Sequence, residues 1–294
     1  MGFGRPCQDQ KESGILEEKN QGGFHYIPAH SGKRLQACHA ARRSGPVYLP
    51  HAARTIQYKP LSDQRVRQAI NYALDKQAII RIAFGGAAIE ADSIIPADLQ
   101  YYKKQSIWPH DLAKAKALMK EAGYEKGFNV VFLTPNASNR LRATEMVQQQ
   151  LKEINITGEL QSMDIASYFN KLESHRADDP NVPPFIAFMG WSASTGDADW
   201  GIRPLLATAS FPPLTNYGFF SDKELDDLIQ AGLASADPKI RQEAYAKAQD
   251  MVWEKAPWGY LFVETLVAAK NKNLKGIYPM ADGSFSVEDA EMTD

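Results

Sequence analysis

Cysteine is nearly absent. Cys7 and Cys38 are too few for a disulfide framework, and their spacing is not that of a zinc site. No apolar run approaches the 18 or so residues a membrane-spanning helix needs. The first 25 residues hold no apolar h-region, so no secretory signal peptide is expected there. Charge of one sign is lacking too: 33 basic and 35 acidic residues leave a net charge of -2, which argues against a general nucleic-acid binder. Enzyme signatures are missing: there is no G-x-S-x-G, no phosphate-binding glycine loop and no H-E-x-x-H. No cofactor is expected.

What is present fills 294 residues, 44% of them hydrophobic. The averages conceal a seam. Both cysteines and four of the six histidines (His25, His30, His39, His51) fall within residues 1–55, which carry eight basic and four acidic side chains. Bulky apolar residues are scattered there among Pro28, Pro46 and Pro50 without a helical or alternating period. So little apolar surface does not offset chain entropy, and the stretch reads as a disordered or foreign leader. Cys7, His25, Cys38 and His39 do not close a metal ligand set.

From Ser62, a good N-cap, Val66, Ile70, Leu74 and Ile79 recur at helical spacing until Gly85-Gly86. A second helix is expected over 111–121, with Gly123 at its left-handed end. Strands at 128–133, 157–163 and 185–189 then alternate with helices at 139–154 and 165–173. This alternation predicts an α/β fold with a mixed sheet flanked by helices, its ligand beyond the carboxyl ends of the strands. Two more helices are expected, one capped by Ser221 and one opened by Asp237-Pro238, followed by a strand over 259–269.

The loop after the 185–189 strand reads GWSASTGDADW. Trp191 and Trp200 bracket Ser192, Ser194, Thr195, Asp197 and Asp199, and indole faces with hydroxyls and carboxylates suit a polar, zwitterionic ligand. The alternative is that Trp191 packs a hinge, the hydroxyls make turn bonds and either aspartate caps the next helix.

Four stretches in order, residues 63–76, 111–127, 189–199 and 253–258, resemble the C-terminal half of family 5 extracellular solute-binding proteins, the periplasmic receptors of peptide, nickel and glutathione ABC importers. The run 190–200 and the ending Phe285–Ala290 look most like the members that bind glutathione. The resemblance implies a type II periplasmic-binding-protein architecture, truncated at its N-terminus, with residues 56–190 mostly the second lobe and 191–294 the hinge loop, helices and return toward the first. It implies a periplasmic, non-enzymatic receptor whose ligand is glutathione or, alternatively, a short peptide, and whose partner is a membrane permease. An interaction module or enzyme using the Cys/His-bearing N-terminus is the reading from another class.

The resemblance favours ligand contact for Trp191, Ser192 and Ser194. Peptide-binding relatives place an aspartate three residues after the hinge tryptophan, where this chain has Ser194. Arg140, near the loop after the first strand of the second lobe, is the candidate partner for a ligand carboxylate, with a solvated helix arginine as its alternative. A one-lobe chain is expected to bind weakly or not at all.

Overall fold

The computed structural model describes residues 35–38, 43–52, 58–176, 183–265, 268–280 and 284–293. Its first strands are Leu35–Cys38 (β1) and Arg43–Ala52 (β2). Three helices follow, Lys59–Ser62 (α1), Gln64–Ala73 (α2) and Lys76–Phe84 (α3), before the strand Ala88–Glu90 (β3) and the helix Leu112–Glu121 (α4). The middle of the chain holds Phe128–Asn129 (β4), Val131–Pro135 (β5), Ser138–Leu151 (α5), Ile156–Thr157 (β6), Leu160–Met163 (β7) and Ile165–Ser174 (α6). Then come Phe185–Ala187 (β8), Met189–Gly190 (β9), Ala198–Leu206 (α7), Lys223–Ala234 (α8), Pro238–Lys255 (α9), Trp258–Thr265 (β10) and Ala268–Asn271 (β11).

Seven strands form one mixed sheet in the order β3-β10-β2-β8-β5-β7, with β9 also beside β2. Strand β5 runs parallel to β7 and β8, whereas β2 is antiparallel to β8, β9 and β10. Alternation along 185–189 sends side chains to opposite faces. Phe185, Ala187 and Met189 join a core with Leu133, Tyr168 and residues of α7, α8 and α9. Ile186 and Phe188 join a second core with Phe132, Phe262 and residues of α2, α3, α4 and α5. Each fully buried Phe there contributes about 1.5–3 kcal/mol.

The strand β2 corrects the expectation of a disordered or foreign leader. Residues 43–50 pair with β10 from Arg43↔Thr265 to Pro50↔Trp258, in the middle of the sheet. Cys38 ends β1, while Cys7, His25 and His39 lie outside the described residues.

Local capping explains several boundaries. Asp63, not Ser62, caps α2, its side chain accepting from Arg65 N. The expected single helix to Gly85 is broken at Leu74, because Asp75 turns the chain and caps α3 through Ala78 N. Likewise Asp222 rather than Ser221 caps α8, through Glu224 N and Leu225 N. After α4, Gly123 N donates to Lys120 O and Tyr124 N to Met119 O, a left-handed close with Gly123 at φ +82°. Between β6 and β7, Gly158 has φ +154°, and a Cβ there would lie 1.6 Å from Val130 O, so only glycine lets the strands approach.

Candidate functional site

Because β5, β7 and β8 are parallel, their carboxyl ends share one rim. Asn136 N, just beyond β5, donates to Met163 O at the end of β7 at 2.8 Å. Tyr168 of α6 donates its hydroxyl to Phe188 O at 2.8 Å and meets Met189 Sδ at 3.2 Å, which fixes the step from β8 to β9. Burial pushes the Tyr168 phenol far up, so it stays a donor. The chain then leaves the rim through Gly190 into the 191–200 loop.

Trp191 Nε1 donates to Trp200 O at 2.8 Å, and the two rings lie 6.1 Å apart at 41°. The indole N–H is therefore satisfied within the loop, and both half-buried rings also pack on the first core. Ser192 is half-buried; Ser194 and Thr195 are exposed. Thr195 Oγ1 accepts from Asp197 N at 3.4 Å. Gly196, at φ +74°, donates its N–H to Ala193 O, and its carbonyl accepts from Gln100 N at 3.0 Å.

Both aspartates of the loop are satisfied inside the protein. Asp197 is the N-cap of α7, with Oδ1 accepting from Asp199 N at 2.8 Å and Oδ2 2.7 Å from Arg241 Nη2. Asp199 meets Arg203 Nε at 3.0 and 2.9 Å and Arg203 Nη2 at 2.7 Å, and accepts from the Tyr245 hydroxyl at 3.4 Å. The bond from Asp199 holds the Arg203 guanidinium above its ordinary pKa. Six candidates, Trp191, Ser192, Ser194, Thr195, Asp197 and Asp199, thus occupy one loop and the start of α7, a helix that the sequence pattern did not reveal.

Arg140 stands apart, half-buried in the first turn of α5. Among the described residues its guanidinium has no hydrogen-bond or ion-pair partner. Its charge acts on Tyr168 and on Glu264 of β10, which places it at the same rim. Burial pushes the Glu264 carboxyl up, and the Arg140 charge opposes that shift. Arg142 is exposed on the same helix.

Sequence reasoning missed Tyr168, Arg241, Tyr245 and Glu264. Arg241 reads as an ordinary solvated arginine in a first helical turn, and nothing local marks its partner 44 residues away. On α8, Asp227 pairs with Lys223 one turn away, and Asp226 accepts from Thr208 N. Among the described residues no group of three or more His, Cys, Asp or Glu is arranged to hold a metal ion, and no helix is long and apolar enough to cross a membrane.

Residues 16–212 match the family model described as bacterial extracellular solute-binding proteins, family 5 Middle. That match begins well inside the first 55 residues, so the expectation of a foreign leader also fails on sequence from residue 16 onward. The chain is 36% identical over 295 residues, 99% of its length, to the glutathione-binding protein GsiB of Pectobacterium atrosepticum, covering 57% of that protein. It is 38% identical over 239 residues to GsiB of Escherichia coli (strain K12), covering 81% of this chain and 46% of that one. The chain spans about half the length of the curated relatives it matches. Among solved structures, a dipeptide binding protein from Pseudoalteromonas sp. SM9913 in complex with Met-Leu superposes with a TM-score of 0.73 at 24% identity, over 90% of this chain and 51% of that one. DppA from Helicobacter pylori, in complex with the peptide STSA, gives 0.70 at 25% identity over 84% and 46%.

Proposed function

The chain belongs to the bacterial extracellular solute-binding proteins of family 5, and on that premise we propose that it serves a periplasmic ABC importer as a receptor for glutathione, delivering the γ-glutamyl tripeptide to a membrane permease rather than transforming it. On this reading residues 56–190 are mostly the ligand-binding lobe, and 191–294 are the hinge loop, helices and return toward the other lobe. Trp191, Ser192, Ser194 and Thr195 supply indole surface and neutral hydroxyls, and Arg140 supplies the cation.

One observation carries the choice of ligand. The carboxylates of Asp197 and Asp199 are already paired with Arg241 and Arg203, whereas the guanidinium of Arg140 is unpaired among the described residues. The loop therefore offers no uncompensated anion for the α-ammonium of an ordinary peptide, while the rim offers a cation for a carboxylate. Glutathione has two carboxylates and a single amine on its γ-linked arm. A hydrogen bond to a charged group contributes about 1.5–3 kcal/mol, enough to separate the two ligand classes by tenfold or more.

Calorimetry with reduced glutathione and with dialanine tests the reading. Glutathione is expected to bind more tightly, and Arg140→Ala to weaken it at least about tenfold. Tighter binding of dialanine makes the chain a receptor for short peptides instead, the second reading that the peptide-bound relatives favour.

A further inference from the structure

Arg241 lies in the first turn of α9. Its Nη2 meets Asp197 Oδ2 at 2.7 Å, its Nε donates to the Tyr101 hydroxyl at 3.2 Å, and its Nη1 donates to Gly232 O at 2.7 Å. The guanidinium carbon sits 5.2 Å from the ring centres of both Tyr101 and Tyr245. Tyr245 in turn reaches Asp199, so one arginine touches both acidic positions of the loop, one directly and one through a phenol. The pair is well sheltered, with side-chain exposures of 16% for Arg241 and 24% for Asp197. Tyr101 takes an unusual left-handed backbone, φ +67°, and the backbone of its neighbour Gln100 is bridged to Asp197.

The geometry points to Arg241 as a positioning residue that sets ligand specificity: by neutralising Asp197, it holds the 193–199 turn in place and keeps the loop free of uncompensated negative charge. This inference rests on the loop being the ligand loop. Without Arg241, Asp197 keeps its capping bond to Asp199 N but gains a free negative charge beside the hydroxyls of Ser194 and Thr195. Glutathione, with a net charge of -1 at neutral pH, is then disfavoured relative to dialanine, a zwitterion with a net charge of zero whose ammonium the carboxylate attracts.

Four forms of the full chain test this: wild type, Arg241→Ala, Asp197→Asn and the double variant. Each is titrated with reduced glutathione and with dialanine, and each is quenched with acrylamide in the absence of ligand. In Arg241→Ala the preference for glutathione over dialanine is expected to fall about tenfold, which corresponds to roughly 1.4 kcal/mol. The double variant restores most of that preference, because the loop is neutral again. A purely architectural arginine, acting through Gly232, weakens both ligands alike and leaves the double variant no better than Arg241→Ala; that result overturns the proposal. Tryptophan quenching is expected to rise equally in both single variants and no further in the double variant, since Trp191 and Trp200 frame the turn that the pair anchors. If the wild type binds neither ligand, the glutathione reading fails on its own. The quenching series still judges Arg241, and equal quenching in all four forms overturns its positioning role.

Discussion

Arg67 and Arg241 each tie a helix to a distant part of the chain, but Arg67 meets carbonyls alone, whereas Arg241 adds a carboxylate and a phenol to the carbonyl of Gly232. Arg67, 7% exposed, donates only to carbonyls: Leu61 O and Ser62 O at the end of α1, Lys255 O and Ala256 O at the end of α9. It closes two helix ends with one planar fork, satisfying carbonyls that have no partner within their own helices. Burial pulls its pKa down to about 10, which leaves it charged at neutral pH. Arg241 meets a carboxylate and is nearer to solvent. A cation held by carbonyls fixes the scaffold, because its removal strands several acceptors at once. A cation held by a carboxylate sets local charge, and its removal changes what the site attracts.

The sharpest way to break this comparison is Arg67→Ala. It strands the carbonyls at the ends of α1 and α9 and is expected to cost about 4 kcal/mol in urea unfolding. A loss under about 1 kcal/mol would place Arg67 with the ordinary surface arginines.

Lys76 extends the carbonyl-held class to a group that can discharge. It is 3% exposed, and its Nζ donates to Asn71 O and Trp108 O. Burial depresses its pKa from 10.5 to about 8, against the opposing pull of Glu90 and Asp75. The folded chain therefore releases this proton before the unfolded chain does. Stability attributable to Lys76 rises with pH from about 8 to about 10.5, by on the order of 3 kcal/mol, with no such gain below pH 8. Chemical denaturation across this window checks the sign against Lys76→Met, in which the rise should vanish.

The smallest effect belongs to the carboxylate class. Asp199→Asn removes one charge from the pair with Arg203, whose side chain is 34% exposed. A loss of about 1 kcal/mol is expected, shrinking in high salt. A salt-independent loss above about 3 kcal/mol would erase the distinction between the two classes of arginine.

Much of the fold is legible in local chemistry. Asp237-Pro238 marks the start of α9, and the continuous apolar run at 185–189 marks a strand buried on both faces. Two elements escape for physical reasons. β2 contains Pro46 and Pro50 and has no apolar alternation, so it has little strand character of its own; it is ordered by pairing with the strongly apolar β10. α7 contains Gly201 and Pro204, both poor helix formers. A Cβ on Gly201 would lie 2.5 Å from Ile95 Cγ2, so glycine there serves close packing against a segment a hundred residues earlier. The candidate site divides in the same way. The Trp, Ser, Thr and Asp residues of 191–199 are visible as a run, but the pairing of Asp197 with Arg241, 44 residues away, is not.

The sequence by itself determined the Asp237-Pro238 start of α9, the glycine turn after α4, the buried strand at 185–187 and the family, since each resides in residues close together or in their order along the chain. The tertiary structure alone decided that β2 lies mid-sheet and that Asp197 is neutralised by Arg241. It also left Arg140 as the unpaired cation at the rim among the described residues. Those outcomes depend on contacts between residues tens to hundreds of positions apart, and electrostatics acts through distance in space, to which separation along the chain is blind.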